Sequence, residues 1–250
     1  MQLTQKTKYY LGAGMYASGI IIGLLLAILL AWADFEASFF EFGRQSAMLF
    51  GRSAEQQLDK FSCPLAITRN EISQIKAEIR NPSERVVKTV LRVSKTEGSV
   101  ILIDRIEGQL EFAPGESIQF EWPIQASDAA WDRFIMARAF VIPSSPMPSM
   151  ASYCGILVID LPFLTGNQAL ALAAIFGLTL LGGGWHLWMS NAGQGILDSE
   201  KNRRLLAIYA LLIVLGAILA AFSNWILAGA LLFLNLLLTL GALPYKIMQR

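Results

Sequence analysis

Three stretches of the chain carry no charged residue: 25 positions between Lys8 and Asp34, 37 between Asp160 and Asp198, and 41 between Arg204 and Lys246. A helix needs about 20 apolar residues to cross a hydrocarbon core about 30 Å thick. The first stretch therefore predicts a crossing over 10–33 and the second a crossing over 167–189. The third is too long for one crossing, because as a single helix it would measure about 60 Å. Ser223 and Asn224, polar turn formers, stand near its middle and divide it into helices over 205–222 and 225–244.

The block between the first two crossings has a shorter period. Ile118, Phe120 and Trp122 alternate with Gln119 and Glu121, and Ile72, Ile75, Ala77 and Ile79 are separated by polar partners. Val87, Val90, Leu91 and Val93, then 133–142 and 152–159, continue the β-rich theme. Turn formers intervene at Asn81-Pro82-Ser83, Glu97-Gly98, Pro114-Gly115 and Pro143-Ser144-Ser145-Pro146. About seven short strands so punctuated predict an antiparallel sandwich over 62–160. Residues 34–61 lack the alternation and read as a helical stalk, interrupted near Gly51. The expected fold is an α+β membrane protein: four transmembrane helices with an exported β-sandwich inserted between the first and the second.

Composition agrees with this division. The chain is 54% hydrophobic and only 16% charged, whereas soluble domains approach a quarter charged. A net charge of +1 gives no basic excess for nucleic acid. Segments 1–9, 190–204 and 245–250 hold 7 basic and 2 acidic residues, against 13 basic and 17 acidic over 34–160. The positive-inside rule then places both termini and the 190–204 loop in the cytoplasm of a plasma (inner) membrane, with 34–160 exported. Tyr9, Tyr10, Trp185, Trp188 and Tyr245 mark inner boundaries, and Trp32 and Trp225 outer ones. Ala31-Trp32-Ala33 also permits a second reading of 1–33 as a cleaved signal peptide, although its apolar run exceeds the usual signal core.

Asn81-Pro82-Ser83, followed some thirty residues later by Leu110-Glu111-Phe112-Ala113-Pro114-Gly115-Glu116-Ser117 and a strand, resembles the Ig-like modules of bacterial surface proteins. The resemblance covers about residues 62–160 and leaves the four crossings aside. It implies an adhesion or assembly role and brings no catalytic residues.

Cys63 and Cys154 are the only cysteines, both in the exported block. An oxidising compartment predicts a bridge between them, the alternative being two buried thiols. Met147 and Met150, with Cys154, offer soft ligands for Cu(I), yet the block contains no histidine. An incidental pair of methionines in a proline-rich loop is the plainer reading. His186, the one histidine, lies among Gly182-Gly183-Gly184-Trp185-His186-Leu187-Trp188. It is readable as a haem or quinone ligand or as an interfacial anchor. No nucleophile–base pair is visible, since His186 falls across the membrane from the exported serines. Glu107, Glu111, Glu116 and Glu121 read as a solvated face rather than a glycosidase pair. Neither an enzyme nor a cofactor is expected.

The crossings carry stripes of small residues that permit close helix approach: Gly19, Gly23, Ala27 and Ala31; Ala169, Ala173 and Gly177; Gly216 and Ala220. Asn235, deep in the fourth, is expected to hydrogen-bond a neighbouring helix. Beyond the lipid bilayer, two functional readings follow. One is an accessory subunit or assembly factor that meets other membrane-protein subunits. The other is a ligand- or copper-handling surface protein using Met147 and Met150.

Overall fold

The computed structural model describes residues 4–40, 58, 60–98, 102–191 and 200–247. The chain forms two compact units, one of residues 1–31 with 169–250 and one of residues 32–168.

In the first unit the helices are α1 (Gln5–Phe39, whose last turns belong to the second unit), α2 (Gly166–Ser190), α3 (Glu200–Ala221) and α4 (Trp225–Ile247). The first three are long and apolar enough to cross a membrane, and α4 carries a shorter apolar run, Trp225–Thr239. At 35 residues, α1 measures about 52 Å and outruns a 30 Å hydrocarbon core. The chain turns between α3 and α4 at Ser223, which adopts a left-handed φ of 54°. Asn224 then caps α4, its Oδ1 accepting the Leu227 N–H at 3.3 Å.

Glycine lets α1 and α2 pack backbone to backbone. A methyl on Gly12 would lie 2.5 Å from the Trp188 nitrogen, and one on Gly184 would lie 2.4 Å from the Tyr16 nitrogen. Gly19 and Gly177 of the sequence stripes share this seam, while Gly23 faces the Ile213 side chain of α3. Tyr16 donates its hydroxyl to the Leu206 carbonyl of α3 at 2.7 Å. Asn235 departs from expectation: its amide donates to Leu231 one turn back on its own helix, at 3.0 Å. Being only 2% exposed, it shares a carbonyl of its own helix, and its Oδ1 has no hydrogen-bond partner among the described residues.

Among its described residues the second unit holds eight strands: β1 (Lys60–Ser62), β2 (Ala66–Thr68), β3 (Ile72–Arg80), β4 (Val87–Glu97), β5 (Leu102–Phe112), β6 (Ser117–Gln125), β7 (Phe134–Val141) and β8 (Met150–Ile159). They form two sheets, ordered β1-β3-β6 and β2-β8-β7-β4-β5. The inward residues of both meet in one core that contains Ile67, Ile75, Phe112, Ile124, Ile135 and Ile156. The alternation of β3 and β6 is the cause of their pairing, since Ile75 opposes Trp122 and Ala77 opposes Phe120 on the same buried face.

Two expectations are corrected. The sheets are not wholly antiparallel: β2 runs parallel to β8, with Ala66 opposite Leu157. The chain crosses from one sheet to the other through Cys63-Pro64-Leu65, so β2 arrives beside β8 without a hairpin. Nor is 34–61 a helical stalk throughout. Residues 34–39 continue α1, Lys60 already pairs with Glu78 in a strand, and most of the remainder lies outside the described residues.

The two quoted turn motifs lie against each other. Asn81 is fully buried, and its amide donates to the carbonyls of Arg85 at 2.7 Å and Ala113 at 3.0 Å. Its Oδ1 accepts the Ser83 N–H at 3.0 Å. Replacing Asn81 with alanine strands these carbonyls without donors, and about 2 kcal/mol of stability should be lost in chemical unfolding. A loss below a few tenths would show that water takes over the role.

Candidate functional site: two helix roots in the β unit

The most constructed polar site lies where α1 ends and α2 begins. Asp34, 3% exposed, accepts the N–H of Gly155 in β8 at 3.1 Å. The α1 backbone at Ala33 crosses β8 so closely that only glycine fits at 155. Beyond it, Ala37 and Phe40 pack on Ala130 and Met136.

The start of α2 is held three ways. Thr165 and Gln168 form a reciprocal capping box: the Thr165 N–H donates to Gln168 Oε1 at 3.1 Å, and the Gln168 N–H to Thr165 Oγ1 at 3.3 Å. Glu71 places Oε2 2.8 Å from the Gly166 nitrogen and 3.0 Å from that of Thr68, joining helix to turn. Its negative charge also suits the positive end of the helix dipole. Asn167 Oδ1 reaches back to the N–H groups of Leu65 and Ala66, at 3.0 and 3.2 Å. Glu71→Ala should therefore cost about 1–2 kcal/mol, visible as a lowered thermal midpoint of the β unit; an unchanged midpoint would show that the capping box alone suffices.

Cys63 and Cys154 are bonded to each other, with Cα atoms 6.5 Å apart. The bond fastens the crossing between β1 and β2 to the middle of β8, three residues from Leu157, which pairs with β2.

The remaining candidate residues are structural or separate. Met147 is 3% exposed and Met150 packs against the same core. With the sulfur of Cys154 in a disulfide, only the thioethers of the soft-ligand set remain. His186 sits on an exposed face of α2. Among the described residues no group of three or more His, Cys, Asp or Glu is placed to hold a metal. Glu107 pairs with Arg92 at 2.6 Å, Glu111 with Lys88 at 3.1 Å and Glu121 with Lys76 at 2.7 Å. Glu116 accepts the Ala113 N–H at 2.6 Å.

A shallow cleft of about 260 Å³ crosses β1, β3 and β6, lined by Lys60, Lys76, Glu78, Gln119 and Glu121 among others. Its charges are neutralised within it, Lys60 meeting Glu78 at 2.8 Å. The hydrogen bond from Lys60 holds the Glu78 carboxyl below the ordinary range, with help from Gln119 and against a smaller effect of desolvation. A carboxyl depressed on folding stabilises above its unfolded midpoint, and that contribution disappears as pH falls through the lower folded midpoint. In Lys60→Met the Glu78 midpoint should rise towards ordinary glutamate, read by carbon NMR of the carboxyl; no movement would remove Lys60 as the cause.

No family model matches the chain, and no curated protein matches it. Solved structures share only a partial likeness. A mutant β-glucosidase from Listeria innocua in complex with laminaribiose is similar at 16% identity and a TM-score of 0.30, over 40% of this chain and 16% of that one. The same enzyme with gluconolactone gives 17% identity and a TM-score of 0.29 over 41% and 16%. The sporulation control protein Spo0M from Bacillus subtilis gives 14% identity and a TM-score of 0.28 over 41% and 48%. The chain thus spans about a sixth of the β-glucosidase and about half of Spo0M.

Sequence reasoning did not anticipate Asp34, Glu71, Asn167 or Gly155. Two local signals were present. Thr165-Gly166-Asn167-Gln168 has capping-box spacing, and a glycine inside the β-rich run 152–159 marks a close backbone approach.

Proposed function

We propose that this is a non-catalytic, membrane-anchored interaction protein, an accessory subunit or assembly factor of a larger membrane complex. Its four helices cross the plasma (inner) membrane with both termini in the cytoplasm, and its Ig-like domain meets partners on the exported side. The single observation that carries the reading is the pair of helix roots: buried Asp34 on β8 and Glu71 on α2 join apolar helices to a disulfide-braced β domain. These groups hold backbone: Asp34 Oδ1 accepts the Gly155 N–H, and Glu71 Oε2 accepts those of Thr68 and Gly166. The strand order, with β1-β3-β6 facing β2-β8-β7-β4-β5, supports the Ig-like description. The disulfide supports an oxidising compartment, and the basic segments outside 34–160 support the orientation.

Purification of the tagged full chain in mild detergent tests the role: a stoichiometric membrane-protein companion is expected, and a chain that migrates alone counts against it. Protease added to right-side-out vesicles tests the orientation, with cleavage expected within 34–160 and sparing of the Lys201 loop.

A further inference from the structure

Large exposed hydrophobic side chains gather at one end of the β unit, beside the exposed Arg69–Asp160 ion pair. Among its described residues, the large exposed hydrophobic side chains include Ile72 (75% exposed), Trp131 (48%), Leu161, Phe163 (92%) and Leu164. Register places all five at the end where α2 begins. Ile72 opens β3 opposite Gln125, the last residue of β6. Trp131 follows Ala130, which bridges Phe134; Phe134 pairs with Leu157, and the Arg133 carbonyl accepts the Val158 N–H at 2.8 Å. Leu161, Phe163 and Leu164 lie between the end of β8 and the capping box of α2. At the opposite end, among the 81–86, 113–116 and 142–149 turns, Val86 is the large exposed hydrophobic residue described.

Trp131 is also held against its own backbone preference. Trp131 and Asp132 take φ values of 53° and 55°, with the Arg133 N–H donating to the Ala130 carbonyl at 3.1 Å. This is a hairpin turn of the primed kind, whose two central positions suit Asn-Gly or Asp-Gly; an indole there is an outlier. The strain is not offset by burying the ring, because the ring is exposed. Conformations kept at such a cost tend to mark sites of use.

We propose that this end of the β domain is a membrane-contact surface, with Trp131, Ile72 and the Leu161–Leu164 segment seated in the lipid headgroup layer of the bilayer that the helices cross. The inference rests on the membrane-anchored reading and adds a lipid-binding face to the β domain. Its occupant is set by chain continuity: the patch runs into the capped start of α2, whose apolar stretch follows without a charged residue. Amphipathic aromatic rings favour the interface, where the ring meets acyl chain and the N–H meets water. A single exposed phenylalanine needs no explanation, but a clustered patch around a helix root does.

The test uses full-length protein in lipid nanodiscs with its six tryptophans replaced biosynthetically by 5-fluorotryptophan. Trp131→Phe assigns the Trp131 fluorine resonance. A headgroup-attached gadolinium lipid is expected to remove most of that signal, together with those of Trp185 and Trp225 at the helix ends. If Trp185 and Trp225 respond and Trp131 does not, the surface is overturned while the spans stand. If none responds, the spans themselves fail and the surface falls with them. An independent readout avoids the strained turn: both native cysteines are bonded, so Phe163→Cys supplies a unique thiol for an environment-sensitive dye. In nanodiscs, emission blue-shifted from that of the same dye in water is expected, and emission unchanged from water overturns the proposal.

Discussion

Cys63→Ser lowers the stability of the β unit by about 4–5 kcal/mol, the entropy released when a loop of 91 residues is no longer closed. Serine at 63 is the cleaner cut, because Cys63 is only partly buried whereas Cys154 is 4% exposed. A free thiol left at Cys154 packs as a small apolar group, but a hydroxyl there would add its own desolvation cost. Against a usual total of about 5–15 kcal/mol, the loss leaves the domain marginal at 37 °C. For a domain of about 100 residues it corresponds to a fall of about 20–30 °C in the unfolding midpoint. Thermal scans of the full chain under reducing and oxidising conditions check it: wild type should lose the same amount on reduction, and the variant should be indifferent to reductant. A fall below about 5 °C would mean that the unfolded chain is already constrained near Cys63. The bond matters because β2 is three residues long and, among the described residues, is paired only in parallel with β8. So short a strand contributes little by itself to keeping the first crossing in register.

How much of this architecture can be read from the chain follows from the range over which each feature is decided. Apolar gaps are local, and so are the alternations of 72–80 and 117–125, which set both the strands and their shared buried face. The Ser223–Asn224 break is local too. Three strands escape the same logic. β1 and β2 are too short to show a period, and β5 (Leu102–Phe112) carries Asp104-Arg105 and Gly108 within its run. Among the described residues only β4 lies beside it, and an edge strand tolerates such interruptions because its open side has no ladder to satisfy. The helix roots are the least legible. Gly166 and Glu71 are 95 positions apart, Gly155 and Asp34 are 121 apart, and neither pair has a spacing that a single sequence reveals. What the sequence does contain is half of each partnership, a strand glycine and a capping box, without an indication of what stands opposite. The burial of Met147 is illegible for a related reason. Met147 and Met150 look loop-borne among Pro143, Pro146 and Pro148, yet the loop folds back so that Met147 fills the core.

Gly155→Ala should be the most damaging single methyl in the molecule. The new Cβ would stand 2.0 Å from the Ala33 carbonyl oxygen, 2.1 Å from its carbon and 2.8 Å from the Asp34 nitrogen. All three are backbone atoms, so no rotamer change relieves the clash. Retreat of the strand is blocked as well, because β8 is paired on both sides, to β2 and to β7. The helix end must therefore lift, which pulls the Asp34 carboxylate away from the Gly155 N–H and leaves that buried donor unmatched. Overpacking and the lost hydrogen bond together should cost about 4 kcal/mol. Two companions separate the causes. Asp34→Asn keeps an acceptor oxygen and changes no volume, so it should cost less than the glycine variant. Gly14→Ala, where a methyl meets nothing within 4 Å, should be neutral or stabilising by about 0.5–1 kcal/mol, as for any exposed helical glycine. If Gly155→Ala unfolds within 1 kcal/mol of wild type, α1 does not cross β8 at this point, and the root at Asp34 loses its basis. If it unfolds early while Asp34→Asn does not, close approach of the backbone is what the glycine supplies.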